Sequence, residues 1–180
     1  MKFFVIGILL LALAAHKAST ECPENWIDLE NLGCFYFATE SESINWYDAQ
    51  VFCNSLNQNA FLAEILFEET QIAISALANE LPDGGWWLGG SDFYEVLILD
   101  FWCPNSNPRW FQESVWMWTK SEIEMKYSAW ADGEPDNQNH DQDCLHLESK
   151  ELSKERFWND IECSGYGSTY YNIRPLCQMY

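Results

Sequence analysis

Residues 130–144 read WADGEPDNQNHDQDC. From Gly133 to Cys144, nine of twelve positions are Glu, Asp, Asn, Gln or His, with Pro135 near the front and a cysteine at the end. Calcium takes about six to eight oxygen ligands from carboxylates, carboxamides and carbonyls, and tolerates uneven geometry. Zinc and copper prefer thiolate and imidazole sets, of which this stretch offers a single histidine and a single cysteine. The plainer reading of the same composition is a solvated turn, since Asp and Asn favour turns through their own backbone contacts. A cage needs oxygens from a second segment, and WNDIEC at 158–163 carries Asn159 and Asp160 just ahead of another cysteine.

Working outward, the chain starts MKFFVIGILLLALAAHKAST, with Lys2, an apolar run from Phe3 to Ala15 and then small residues. That is the layout of a secretory signal. The run is short of the about 20 apolar residues that a membrane span needs. We expect a signal peptide over 1–20, cut between about 14 and 20, and a secreted, extracellular domain over 21–180. The formal charge is −19, and removing Lys2 and Lys17 takes it to −21. Such a chain repels nucleic acid and anionic membranes, so neither nucleic-acid binding nor membrane insertion is expected, and cations are the natural partners. Trp, Tyr and Phe make up 16% of the residues, which argues against a disordered acidic tail. All seven cysteines follow the leader, and in an oxidising compartment six would pair and one would remain. Spacing alone does not choose among the pairings that six cysteines allow. A zinc site would call for a CxxC pair, and the chain has none.

No repeat, low-complexity tract or long linker divides the chain, so one domain is the economical reading. In NWYDAQVFCNSLN, Ala49, Phe52, Cys53 and Leu56 fall at helical spacing behind Asn45 as cap. A second helix is expected from Glu68 to about Asn79, acidic at its start, with Ile72, Ala76 and Leu77 inward. From Gly84 onward the segments GWWLGG, VWMWT, CLHLE, RFWND and RPLCQMY are short, aromatic or alternating, as strands are. Helices early and strands with long loops later give an α+β fold.

Three motifs in order carry a resemblance. WWLGG at 86–90, WADGEPDNQNHDQDC at 130–144 and WNDIEC at 158–163 resemble the core, calcium-loop and closing-strand motifs of the C-type lectin-like domain family, as in secreted single-domain invertebrate C-type lectins. The match runs from about Cys22 to Cys177. It implies two helices, small antiparallel sheets, long calcium-binding loops and three disulfides: Cys22–Cys34, Cys53–Cys177 and Cys144–Cys163. Cys103 has no family partner and sits in an apparent insertion at 93–114. A buried free thiol and an inter-chain bridge making a homodimer both fit an odd cysteine.

Carried over residue by residue, the family's main site implies Ca2+ held by Glu134, Asp136, Gln142, Asn159 and Asp160. These same residues would be the sugar contacts. The resemblance also implies a cis peptide before Pro135, turning the flanking side chains to one side. Asp136 stands where the mannose-type EPN triplet has Asn, and Gln142 where Glu is usual, so EPD is a variant of the EPN and QPD forms. The two departures together conserve charge. A sugar hydroxyl can donate one hydrogen bond and accept others, so it suits a pairing of one acid with one amide. Glu134 with Asn159 and Asp136 with Gln142 keep such pairs. Mannose against galactose stays open, with a lean toward mannose-type sugars. Asp92 and Asp143 match part of an auxiliary calcium site that is otherwise incomplete.

His146 alternates with Leu145 and Leu147 and reads as a surface or satisfied residue, while His140 lies in the loop and could touch a ligand. Trp130 and the Trp102, Trp110 and Phe111 of the insertion are mainly core candidates. No nucleophile set is readable, and although Asp141 and Asp143 could pair as acid and base, nothing else supports an enzyme. The expectation is a calcium-dependent carbohydrate-binding lectin of innate immunity, recognising microbial surface glycans and agglutinating cells. The alternative is a domain of this family without sugar binding, acting in protein interaction or as an acidic matrix protein.

Overall fold

The computed structural model describes residues 21–92, 115–152, 154–164 and 172–180. The expected signal peptide over 1–20, Cys103 and the expected insertion at 93–114 with its aromatic residues lie outside the described residues. The described chain opens as an antiparallel hairpin of β1 (Ile27–Leu29) and β2 (Gly33–Phe37), with Ile27 opposite Phe35. Gly33 has φ 108°, and a Cβ there would fall 2.8 Å from the Met179 carbonyl oxygen, so the position demands glycine.

Helix α1 (Trp46–Leu56) begins where Asn45 Oδ1 accepts the Asp48 N–H at 2.8 Å, the cap expected from the sequence. It buries Trp46, Ala49 and Cys53, while Leu56, at the end of the expected stripe, is 42% exposed.

Helix α2 (Glu68–Glu80) presents a different face from the one its hydropathy suggests. Ile72 is 62% exposed, Ala76 is exposed and Leu77 half-buried, whereas Gln71, Ile74, Ser75 and Ala78 are buried. Hydrogen bonding is the reason. Gln71 Nε2 donates to the Arg156 carbonyl at 2.8 Å and its Oε1 accepts the Trp158 indole N–H at 2.8 Å. Ser75 Oγ donates to the Glu155 carbonyl at 2.9 Å and Asn79 Nδ2 to the Lys154 carbonyl at 2.8 Å. A polar face therefore docks on an irregular stretch of backbone that needs donors.

The remaining strands are β3 (Phe61–Leu62), β4 (Trp86–Ser91), β5 (Met117–Trp118), β6 (Ile123–Glu124), β7 (Cys144–Leu147), β8 (Trp158–Ile161) and β9 (Arg174–Met179). β9 pairs antiparallel with β2 and β3. It also runs parallel to β4, with Trp86 opposite Arg174 and Trp87 opposite Pro175. The antiparallel sheets expected from the resemblance are thus joined into one mixed sheet. β4 carries β5 and β7, and β7 carries β8.

Trp86, Trp118, Trp158, Phe35, Leu145 and Leu147 fill the main core, with Trp118 and Trp158 edge to face at 5.7 Å. Cys22–Cys34, Cys53–Cys177 and Cys144–Cys163 are bridged, as the resemblance implied. Arg156, fully buried, donates to Asn79 Oδ1 at 2.9 Å and to the carbonyls of Gly84, Ala78 and Glu148 at 2.6, 2.7 and 3.0 Å. Its guanidinium ties the end of α2 to the turn before β4 and to the chain leaving β7.

Candidate metal centre

The loop between 131 and 144 is fixed to β8 at both ends. At its entrance Trp158 accepts the Ala131 N–H at 2.9 Å and donates its own to the Ala129 carbonyl at 2.8 Å. At its exit Cys144 lies opposite Ile161, beside the bridge to Cys163. The register then sets Leu145 opposite Asp160 and His146 opposite Asn159. Two strand residues are thereby delivered beneath a loop that could not order itself by hydrophobic contacts.

Asp160 organises what crosses above it. Fully buried, its carboxylate accepts the backbone N–H groups of Asp136 at 3.2 Å and Asn137 at 2.8 Å. The Glu134–Pro135 peptide bond is cis, and the side chains of Glu134 and Asp136 on either side both face Asp160. One carboxylate oxygen from each of Glu134, Asp136 and Asp160 lies within 4.8 Å of the other two. Asn159 Nδ2 donates to Glu134 Oε1 at 3.1 Å. The Gln138 N–H donates both to Asp136 Oδ1 at 3.0 Å and to Gln142 Oε1 at 2.5 Å. All five residues expected at the site are therefore linked around the one loop, as two acid and amide pairs with Asp160 beneath.

The electrostatics are unbalanced. Among the described residues no Lys or Arg pairs with these carboxylates, the one salt bridge being Lys126 with Glu124. Glu134 Oε2 is buried without a hydrogen-bond partner among the described residues. Burial first, then the neighbouring Asp160 and Asp136, push the Glu134 carboxyl up to about 7. Crowded carboxylates, an orphaned oxygen and an all-oxygen donor set fit a hard divalent cation. They offer nothing to a thiophilic one.

No family model matches the sequence. The chain is 26% identical over 167 residues to the C-type lectin mannose-binding isoform of Oxyuranus scutellatus, covering 90% of this chain and 91% of that protein. The crystal structure of the C-type lectin CEL-I from Cucumaria echinata aligns with a TM-score of 0.63 at 19% identity, over 89% of this chain and 98% of that one. The chain has the C-type lectin-like fold. A calcium-independent type II antifreeze protein shares this fold with a TM-score of 0.55 at 23% identity, over 83% of this chain and 91% of its own. The same fold is thus found in a protein described as calcium-independent. The Oxyuranus scutellatus and Cucumaria echinata proteins are both named as lectins and neither as an enzyme.

Elsewhere in the fold, burial raises the Asp143 carboxyl above its ordinary range, with Asp92 beside it acting in the opposite direction. His140 is exposed at the end of the short turn Gln138–His140. His146 is not a surface residue: it is 2% exposed, and burial lowers its imidazole to about 4. Trp130 is half-buried and packs edge to face on Trp116 at 4.8 Å. Two charged residues near the site escaped the sequence reading. Glu148 accepts from Asn159 Nδ2 at 3.4 Å, and Arg156 holds the Glu148 carbonyl. Only the alternation CLHLE hinted at the first, by placing an acid where an inward residue was due.

Proposed function

We propose that this domain is a secreted, calcium-dependent carbohydrate-binding lectin. Glu134, Asp136, Gln142, Asn159 and Asp160 would hold Ca2+, and the ion would in turn take two neighbouring hydroxyls of a sugar. The observation that carries the reading is Glu134 Oε2, a buried carboxylate oxygen without a partner beside two further carboxylates. Such a group is costly to keep unless a cation completes it. The two acid and amide pairs supply an acceptor and a donor to each hydroxyl, which favours a neutral sugar over an anionic one in so acidic a chain.

A mannose-binding relative supports the lean toward mannose-type glycans. Recognition of microbial surface glycans in innate immunity and agglutination belong to the same proposal. Agglutination needs linked sites, which a homodimer through Cys103 would supply. Gel mobility with and without reductant tests that dimer, and unchanged migration excludes it. The leader sequence and the disulfides support an extracellular location.

The decisive experiment is binding of the mature protein to immobilised glycans in calcium and then in chelator. Binding that chelator abolishes is the expected result. Glycan binding that persists in full chelation would overturn the mechanism. Absence of any glycan binding would favour the second reading, a protein-interaction or acidic matrix module, for which the calcium-independent structural neighbour is the supporting observation.

A further inference from the structure

We propose that Glu148 is a positioning residue of the calcium site, orienting the Asn159 carboxamide so that its oxygen and not its nitrogen faces the ion. The inference rests on the calcium reading above. Asn159 Nδ2 lies 3.1 Å from Glu134 Oε1 and 3.4 Å from Glu148 Oε1. Ionised carboxylates only accept hydrogen bonds, and a carboxamide carries both its donors on one atom. With both donors directed at carboxyl oxygens, a flip of the amide would set Oδ1 against two acceptor oxygens once Glu134 and Glu148 are ionised, the state in which a cation would hold Glu134. One orientation is left, and in it Oδ1 is the atom free for a hard cation.

Glu134 could not enforce this alone. It belongs to the three-carboxylate group that the ion would recruit, so its hold on Asn159 is weakest when orientation matters. Glu148 stands outside that group and remains available when the ion is bound. Its own backbone is held on both sides: its N–H donates to the Phe157 carbonyl at 2.9 Å and its carbonyl accepts from Arg156 at 3.0 Å. A line of contacts therefore runs from the buried guanidinium of Arg156 through Glu148 to Asn159 and Glu134. Glu148 is only 7% exposed, and an aliphatic residue would fill that space without the cost of burying a carboxylate. Partners of metal ligands commonly have this orienting duty.

The test compares the mature wild-type protein with Glu148→Leu and Glu148→Gln. Calcium titration measures affinity, melting in chelator measures the apo fold, and the side-chain amide resonances of Asn159 report its hydrogen bonds. Glu148→Leu is expected to weaken calcium binding by about tenfold or more. Its melting temperature in chelator should be unchanged or higher, a split that a merely structural role would not produce. Glu148→Gln keeps an acceptor oxygen and should recover most of the affinity while shifting the Asn159 amide signals. Affinity of Glu148→Leu within about twofold of wild type would overturn the proposal. So would a loss that only follows lost stability. Should the leucine variant fail to fold, Asn159 signals in Glu148→Gln identical to wild type would overturn it equally. A wild-type protein that takes no calcium would instead remove the calcium reading itself.

Discussion

Asp136 Oδ1 and Gln142 Oε1 converge on one backbone N–H, that of Gln138, at 3.0 and 2.5 Å. An acid and an amide six positions apart are thus held side by side by the loop's own main chain. Exchanging their chemistry should therefore matter less than removing either. Asp136→Asn is expected to weaken calcium by at least about tenfold, since ligand charge sets affinity in such sites. Adding Gln142→Glu should restore it to within about threefold of wild type on the same charge count. Isothermal titration of the singles and the double checks this. Full affinity in Asp136→Asn alone would exclude Asp136 as a ligand.

Removing the Cys144–Cys163 bridge with paired alanines should cost about 3 kcal/mol of stability, from the freed loop entropy across 19 positions. Calcium affinity should fall as well but not vanish, because Cys144 and Ile161 still face each other in the β7 and β8 ladder. Denaturant melts and calcium titrations of the double variant measure the two losses separately. Equal calcium affinity with and without the bridge would mean that the ladder alone holds the cage.

His146 predicts a pH dependence of the fold. Burial lowers its imidazole from 6.5 to about 4. Well above pH 6.5 it is neutral in both the folded and unfolded states. As pH falls from there to about 4 the unfolded chain takes up a proton that the folded one refuses, so stability is lost through that window. The shift corresponds to about 3 kcal/mol. Melting of wild type and His146→Leu in chelator, at neutral pH and near pH 4.5, isolates the effect. The variant should lose less stability on acidification, and parallel losses would count against this account.

Arg156 predicts a stability cost far from any ligand. Replacing it with Met strands three backbone carbonyls and the Asn79 side-chain oxygen. A loss of at least about 3 kcal/mol is expected, since unsatisfied buried acceptors each carry a penalty. Arg156→Lys should retain only part of the stability, because an ammonium cannot span the same fork. Chemical denaturation reads both, and a neutral Arg156→Met would show that water replaces the guanidinium freely.

The acidic loop and the strand it closes on were legible in the sequence because their chemistry is written in residue types at tight spacing. Asn159, Asp160 and Glu134 needed only the right partner segment. Helix α2 was legible in position but not in orientation. Its burial is decided by Gln71 and Ser75 satisfying the backbone at 155–156, and hydropathy assigns such residues to water. Arg156 and Glu148 were hidden for the same reason, since spacing along the chain says nothing about which charge a fold will enclose. The parallel contact of β4 with β9 joins segments far apart in sequence and has no local signature.

Ser91, at the end of β4, lies opposite Met117 of β5 on one side and Cys144 of β7 on the other. β4 ends at Ser91 and β5 begins at Met117 beside it, so the described residues flanking 93–114 are paired in register. Closure entropy grows only with the logarithm of length, about 0.6 kcal/mol for each doubling. The two strand ends are therefore held side by side by their own pairing, and a change in the length of chain joining them is expected to cost little closure entropy while Ser91 stays opposite Met117.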